Sequence, residues 1–139
     1  MRRRAVALLL AVGLAGCGRS PAEQLSSALE GVLSWIATSR TVADHWLAGR
    51  APRRYTRATL QAALESLEQE RASLTSAPRP VADDQIEKAL SLIERIEIAV
   101  ARTWDAVGKV DRVAVREQRQ ALDGLESQLR ALGARGTTP

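Results

Sequence analysis

Four stretches of this chain carry apolar side chains at steps of three or four residues, a spacing that gathers them on one face of an α-helix. Leu25, Leu29, Val32, Ile36, Ala43 and Trp46 form the first series, with Ser39 in the same phase. Leu60, Ala63, Leu64, Leu67 and Leu74 form the second. Ile86, Leu90, Ile93, Ile96, Val100, Trp104 and Val107 form the third, and Val115, Gln118, Leu122, Leu125, Leu129 and Leu132 the fourth. No stretch alternates convincingly in the manner of a half-buried strand. Each helix must hide its stripe against another, so the chain predicts an all-α fold.

Punctuation sets the boundaries. Ser20-Pro21-Ala22-Glu23 combines a capping hydroxyl, a proline at the first helical position and a glutamate at the third, a strong helix start. The first helix is expected over about 21–48, with Gly49 as its C-terminal cap and Pro52 blocking continuation. The second is expected over about 53–76, ended by Ala77-Pro78-Arg79-Pro80. The third is expected over about 83–107, capped by Asp83, and the fourth over about 111–132, with Gly108 as a stop and Asp111 as a new start. Arg119 with Asp123 and Glu126 with Arg130 stand four apart and support the outer face of the fourth helix. Residues 133–139 read as a flexible tail. Matched lengths and short connections predict an antiparallel up-down-up-down four-helix bundle. The alternative is three helices with one long C-terminal helix, because the apolar phase runs almost unbroken across Gly108.

The 139 residues suffice for one domain with a modest core. Helical bundles often hold metals or haem, so the ligands matter. A ferritin-type di-iron site needs Glu-x-x-His on two helices, whereas His45 is the only histidine. One cysteine provides neither a Cys-x-x-Cys-His haem motif nor a structural zinc site. Asp44 and His45 are adjacent and therefore point to different faces of their helix, so they form no catalytic pair and His45 reads as a solvated rim residue. Ser39 reads as making room for a neighbouring tryptophan, and Gln118 as a polar group that fixes register. Carboxylates such as Glu65, Glu68, Glu94 and Glu97 are spread over amphipathic faces with no isolated pair for acid–base work. No catalytic residue, metal or cofactor is expected, and the chain reads as a non-enzyme.

The segment before Ser20 is of another kind. Arg2, Arg3 and Arg4 precede 11 apolar or small residues, Ala5 to Ala15, too few to span a bilayer and of the length of a signal-peptide core. Leu14-Ala15-Gly16-Cys17 follows. This run resembles the lipobox of bacterial lipoproteins; no functional family is recognised for the remainder of the chain. The resemblance implies that residues 1–16 are a cleaved signal peptide. It implies a thioether-linked diacylglycerol on Cys17, with N-acylation of the new amino terminus. Residues 17–20 then form a short tether of about three residues, roughly 10 Å extended. Gly18, rather than Asp, follows the cysteine. By analogy with enteric-type lipoproteins, this points to the periplasmic face of an outer membrane, or to the outer face of the cytoplasmic membrane in a cell with only one. Setting aside Arg2, Arg3 and Arg4 from the 20 basic residues leaves 17 against 16 acidic ones, so the electrostatic footprint of a nucleic-acid binder is absent.

An anchor at the first helix gives the bundle a direction. The ends of helices 1 and 3 and the starts of helices 2 and 4 fall at the far end, roughly 42 Å away for a helix of about 28 residues. Three of the four aromatic residues, Trp46, Tyr55 and Trp104, fall near it, as do Arg50, Arg53, Arg54 and Arg57, with Lys109 and Arg112 from the second distal turn. These residue types are enriched at binding hot spots. One reading is a scaffold or adaptor that docks an envelope protein or an anionic envelope component through this end. A second is that the tryptophans fill the core while the arginines solvate the loops. A third function class is a bundle that holds a small amphiphile between helices near Trp35, Trp46 and Trp104.

Overall fold

A computed structural model describes residues 18, 20–77 and 84–136. The lipobox-like run with Cys17, the expected Asp83 cap, the two-proline stop at 78–80 and the last three residues lie outside the described residues. The described residues form four α-helices: α1 (Pro21–Leu47), α2 (Arg53–Ser76), α3 (Asp84–Lys109) and α4 (Arg112–Gly136). α1 packs on α2 and α4, and α3 packs on α2 and α4, so the helices close into a ring. Cross-links between neighbours run in opposite sense. Asp44 of α1 pairs with Arg119 of α4, and Arg40, one turn earlier, pairs with Asp123, one turn later. Arg95 of α3 reaches Gln128 of α4 at 3.1 Å. The molecule is an antiparallel four-helix bundle, and the three-helix alternative is set aside by the reversal between α3 and α4.

The core follows the stripes read from the sequence. Val32, Ile36, Leu60, Leu67, Leu74, Ile93, Ile96, Val100, Leu122 and Leu129 are fully buried. Each leucine or isoleucine hidden this way stabilises the fold by about 1.5–3 kcal/mol. The first helix starts as its sequence dictates. The Ser20 hydroxyl accepts the Glu23 amide and the Glu23 carboxylate accepts the Ser20 amide, a complete capping box. α1 ends in a Schellman motif: the Gly49 amide donates to Trp46 O and the Arg50 amide to His45 O, with Gly49 at φ 70°.

Two expected stops are corrected. α3 does not end at Gly108 but runs through it to Lys109. The reversal falls at Val110, which takes φ 58°, while its amide donates to Val107 O and the Asp111 amide to Ala106 O. This is the same Schellman geometry with valine where glycine is usual. Gly108 instead lies inside the helix with the Arg57 guanidinium packed against it, 3.4 Å from where a Cβ would stand. Asp111 then starts α4 as expected, its carboxylate accepting the Ala114 amide at 3.0 Å. The second correction concerns α4, which continues past Leu132 to Gly136. Gly133 lies inside that helix beside Leu29, 3.8 Å from where a Cβ would stand, so it belongs to the seam with α1 rather than to a tail.

The ion pairs at the fourth helix also differ from expectation. Arg119–Asp123 and Glu126–Arg130 are present at 2.5 and 2.8 Å, but they do not decorate an outer face. Asp44 and Arg40 of α1 join them, so the charges form a ladder that laces α1 to α4. Hydrogen bonding from Arg130, with the nearby Arg40 charge, holds the Glu126 carboxyl below the usual carboxylate range. Elsewhere Glu70 of α2 packs against the bare backbone of Gly31, and burial pushes its carboxyl up.

Candidate functional site

The distal end is built from two tight turns, residues 48–52 between α1 and α2 and residues 110–111 between α3 and α4. A side chain ties them together: the Arg112 guanidinium donates to Leu47 O, satisfying a carbonyl at the end of α1. The seven residues singled out from the sequence fall into two sets here.

The first set is structural. Trp46 is buried in the core, and the Arg112 guanidinium lies over its ring at 5.6 Å from the centroid. Trp104 is half-buried against the core, and the Arg57 guanidinium lies over it at 3.8 Å. Each distal tryptophan is therefore roofed by an arginine from the neighbouring helix, a cation–π contact across a helix seam. Arg57 is wedged between Trp104 and Gly108, and its Nε has no hydrogen-bond partner among the described residues. Trp46, Trp104 and Arg57 thus belong to the packing of this end.

The second set is exposed. Arg50, Arg53 and Arg54 face solvent and make no ion pair among the described residues, and Tyr55 is 61% exposed. Two residues not singled out from the sequence join them: Val110 at 55% and Val113 at 61% exposure. Val113 stands two positions before Val115, on the far side of the helix from the α4 stripe, whereas the position of the reversal is what turns Val110 outward. Lys109 is held by Asp105 at 2.7 Å, which together with the neighbouring Asp111 charge pushes its ammonium pKa up.

The start of α2 is electrostatically unusual. Its N-cap is Pro52, which offers no side-chain cap, and its first turn carries Arg53 and Arg54 with no acidic residue. Cations at the positive end of a helix dipole each cost about 0.3–1 kcal/mol. The free amides and the two guanidinium groups together present positive potential to solvent.

Of the three tryptophans expected beside an amphiphile slot, Trp46 is buried in the core and Trp35 and Trp104 are half-buried against it. An apolar groove does exist, at the opposite end of the bundle between α1 and α4. Among the described residues no three His, Cys, Asp or Glu side chains cluster closely enough to hold a metal ion, and no helix is long and apolar enough to cross a membrane. Compared with protein-family models, with curated proteins and with solved structures, the chain finds no match.

Proposed function

We propose that this chain is a lipid-anchored lipoprotein of the bacterial cell envelope, a non-enzymatic scaffold or adaptor that holds its bundle against the membrane at one end and docks an anionic envelope partner at the other. The observation that carries this reading is the composition of the end farthest from Ser20. There Tyr55 at the start of α2 and Val110 and Val113 at the α3–α4 turn are exposed, and Arg50, Arg53 and Arg54, without an ion pair among the described residues, stand at a helix start whose charge opposes its own dipole. Cations at the positive end of a helix dipole lower the stability of the free protein, and an anionic partner relieves that cost. A partner that supplies carboxylate or phosphate groups and an apolar contact covers both the arginines and these exposed side chains. The short capped run after Cys17 supports the membrane-proximal placement of the other end, because Ser20 begins the helix within about 10 Å of the expected lipid.

The test is crosslinking in intact envelopes with the full-length protein and a variant carrying Arg50→Ser, Arg53→Ser, Arg54→Ser and Tyr55→Ser. The variant retains Arg57, Trp46 and Trp104, so the packing is left alone. Loss of specific adducts, with helical circular dichroism unchanged, is the expected result. Capture in membrane extracts is also expected to weaken between 50 and 500 mM salt, as exposed charges are screened. An adduct pattern identical to that of the parent protein, with equal yield at both salt concentrations, sinks the distal docking reading.

A further inference from the structure

The apolar groove lies at the end of the bundle where α1 begins. It encloses about 330 Å³ between α1 and α4. Leu25, Leu29 and Leu33 stand in a line along α1, and Leu129 and Leu132 face them from α4. Gly133 keeps the channel open on the α4 side, since its missing side chain leaves the Leu29 methyl uncovered. The charged lining residues are Glu30 and Arg130, and Arg130 is already paired with Glu126. The α1 lining from Ala22 to Leu33 extends about 16 Å at 1.5 Å per residue.

We propose that this groove seats one acyl chain of the lipid carried on Cys17. The proposal rests on the lipoprotein reading above and deepens it. Three observations select this occupant. Five leucines line the groove along three turns of α1 and the facing turn of α4, with polar groups few beside them, which suits an alkyl chain and leaves a charged peptide unsatisfied. About 16 Å accommodates on the order of a dozen methylenes, each advancing ~1.25 Å along bonds of ~1.5 Å. The third is proximity: Ala22 lines the groove two residues after Ser20, and Cys17 precedes Ser20 by three residues, within about 10 Å of chain. The capping box fixes where the chain leaves the helix, so the tether starts beside the groove. A chain seated there is withdrawn from the bilayer, and the remaining chains carry the anchorage.

The experiment uses the full-length protein in cells fed a palmitate analogue with a photoactivatable diazirine. Membranes are irradiated, the protein is digested, and peptides are identified by mass. The expected result is an intramolecular adduct joining the lipidated Cys17 peptide to the Leu25–Leu33 or the Leu129–Gly133 segment. Gly133→Leu fills the groove and is expected to lower that adduct at least tenfold, while the lipid mass on Cys17 and the helical circular dichroism stay unchanged. Gly136→Leu, farther along the same groove, serves where Gly133→Leu does not fold. Adducts from the Cys17 lipid to membrane lipids alone, a phospholipid adduct in the groove without the Cys17 peptide, or an undiminished yield in the filled variants each overturn the acyl-chain seat while leaving the anchor standing. A Cys17 peptide with no lipid mass overturns the anchor itself, and the seat with it.

Discussion

Val110 shows at a single residue how a local compromise is tolerated. A β-branched side chain in the left-handed region sits close to its neighbouring carbonyl, a conformation that costs about 1–2 kcal/mol relative to glycine. The side chain is more than half exposed, so little burial repays it. Val110→Gly is therefore expected to raise the unfolding free energy by about 1 kcal/mol, read as a shift in urea midpoint without a change in slope. The same change removes one of the exposed apolar groups of the distal end, so partner capture should fall as stability rises. Ser39 gives a second residue-scale contrast. Among the described residues three hydroxyl-bearing side chains are fully buried, and Thr56 and Thr103 donate to carbonyls four residues back, at 3.1 and 2.8 Å. Ser39 has no such partner among the described residues. An unsatisfied buried hydroxyl costs about 1–3 kcal/mol, so Ser39→Ala should stabilise by about 1 kcal/mol, whereas Thr103→Ala should destabilise by a similar amount. Parallel denaturation curves of the two variants check the opposite signs.

At the scale of the element, α2 trades stability for charge. Replacing Arg53 and Arg54 by Glu reverses two unfavourable interactions with the helix dipole, and stability is expected to rise by about 1 kcal/mol in low salt. Under the proposed function the same variant loses its partner. A thermal melt alongside envelope crosslinking checks both, and a variant that is more stable and still binds argues against docking here. The elements also show what the sequence made legible. The four stripes and the capping box at Ser20 followed from periodicity and residue type alone, because both are local. Gly49 served as the helix cap it resembled. Gly108 and Gly133 did not, because a glycine that ends a helix and a glycine that admits a neighbouring side chain look identical until the neighbour is placed. The neighbours are Arg57 and Leu29, which lie 51 and 104 residues away in the chain. The division of the distal arginines had the same origin: Arg57 and Arg54 differ by three positions, but only Arg57 faces an indole from another helix. The outward turn of Val110 was hidden for the same reason that moved the stop from Gly108.

For the whole molecule, closure of the ring depends on the α1–α4 seam. α1 packs less extensively on α4 than α3 does, and the apolar groove opens within that seam. The ion-pair ladder of Arg40, Asp44, Arg119, Asp123, Glu126 and Arg130 bridges the adjoining stretch. Its pH dependence has a definite sign. Glu126 is held below its ordinary value of 4.5 by the Arg130 hydrogen bond and the Arg40 charge, so the folded state binds its proton less readily than the unfolded chain. That contribution is complete above pH 4.5 and is lost as pH falls through the lower folded value. Glu126→Gln should cost about 1.5 kcal/mol at pH 7, the lower end of the range for hydrogen bonds to charged groups because Arg130 is 64% exposed. Over the interval from pH 7 down into acid below 4.5, the parent protein should lose stability more steeply than the variant, and the two melting temperatures should converge. Parallel melting curves across that interval, at low and high salt, would place the weight of closure elsewhere if the gap stayed constant. Convergence instead ties the integrity of the ring to charges that begin at Arg130, which lines the groove beside Leu129, so acid weakens the seam in which the groove opens.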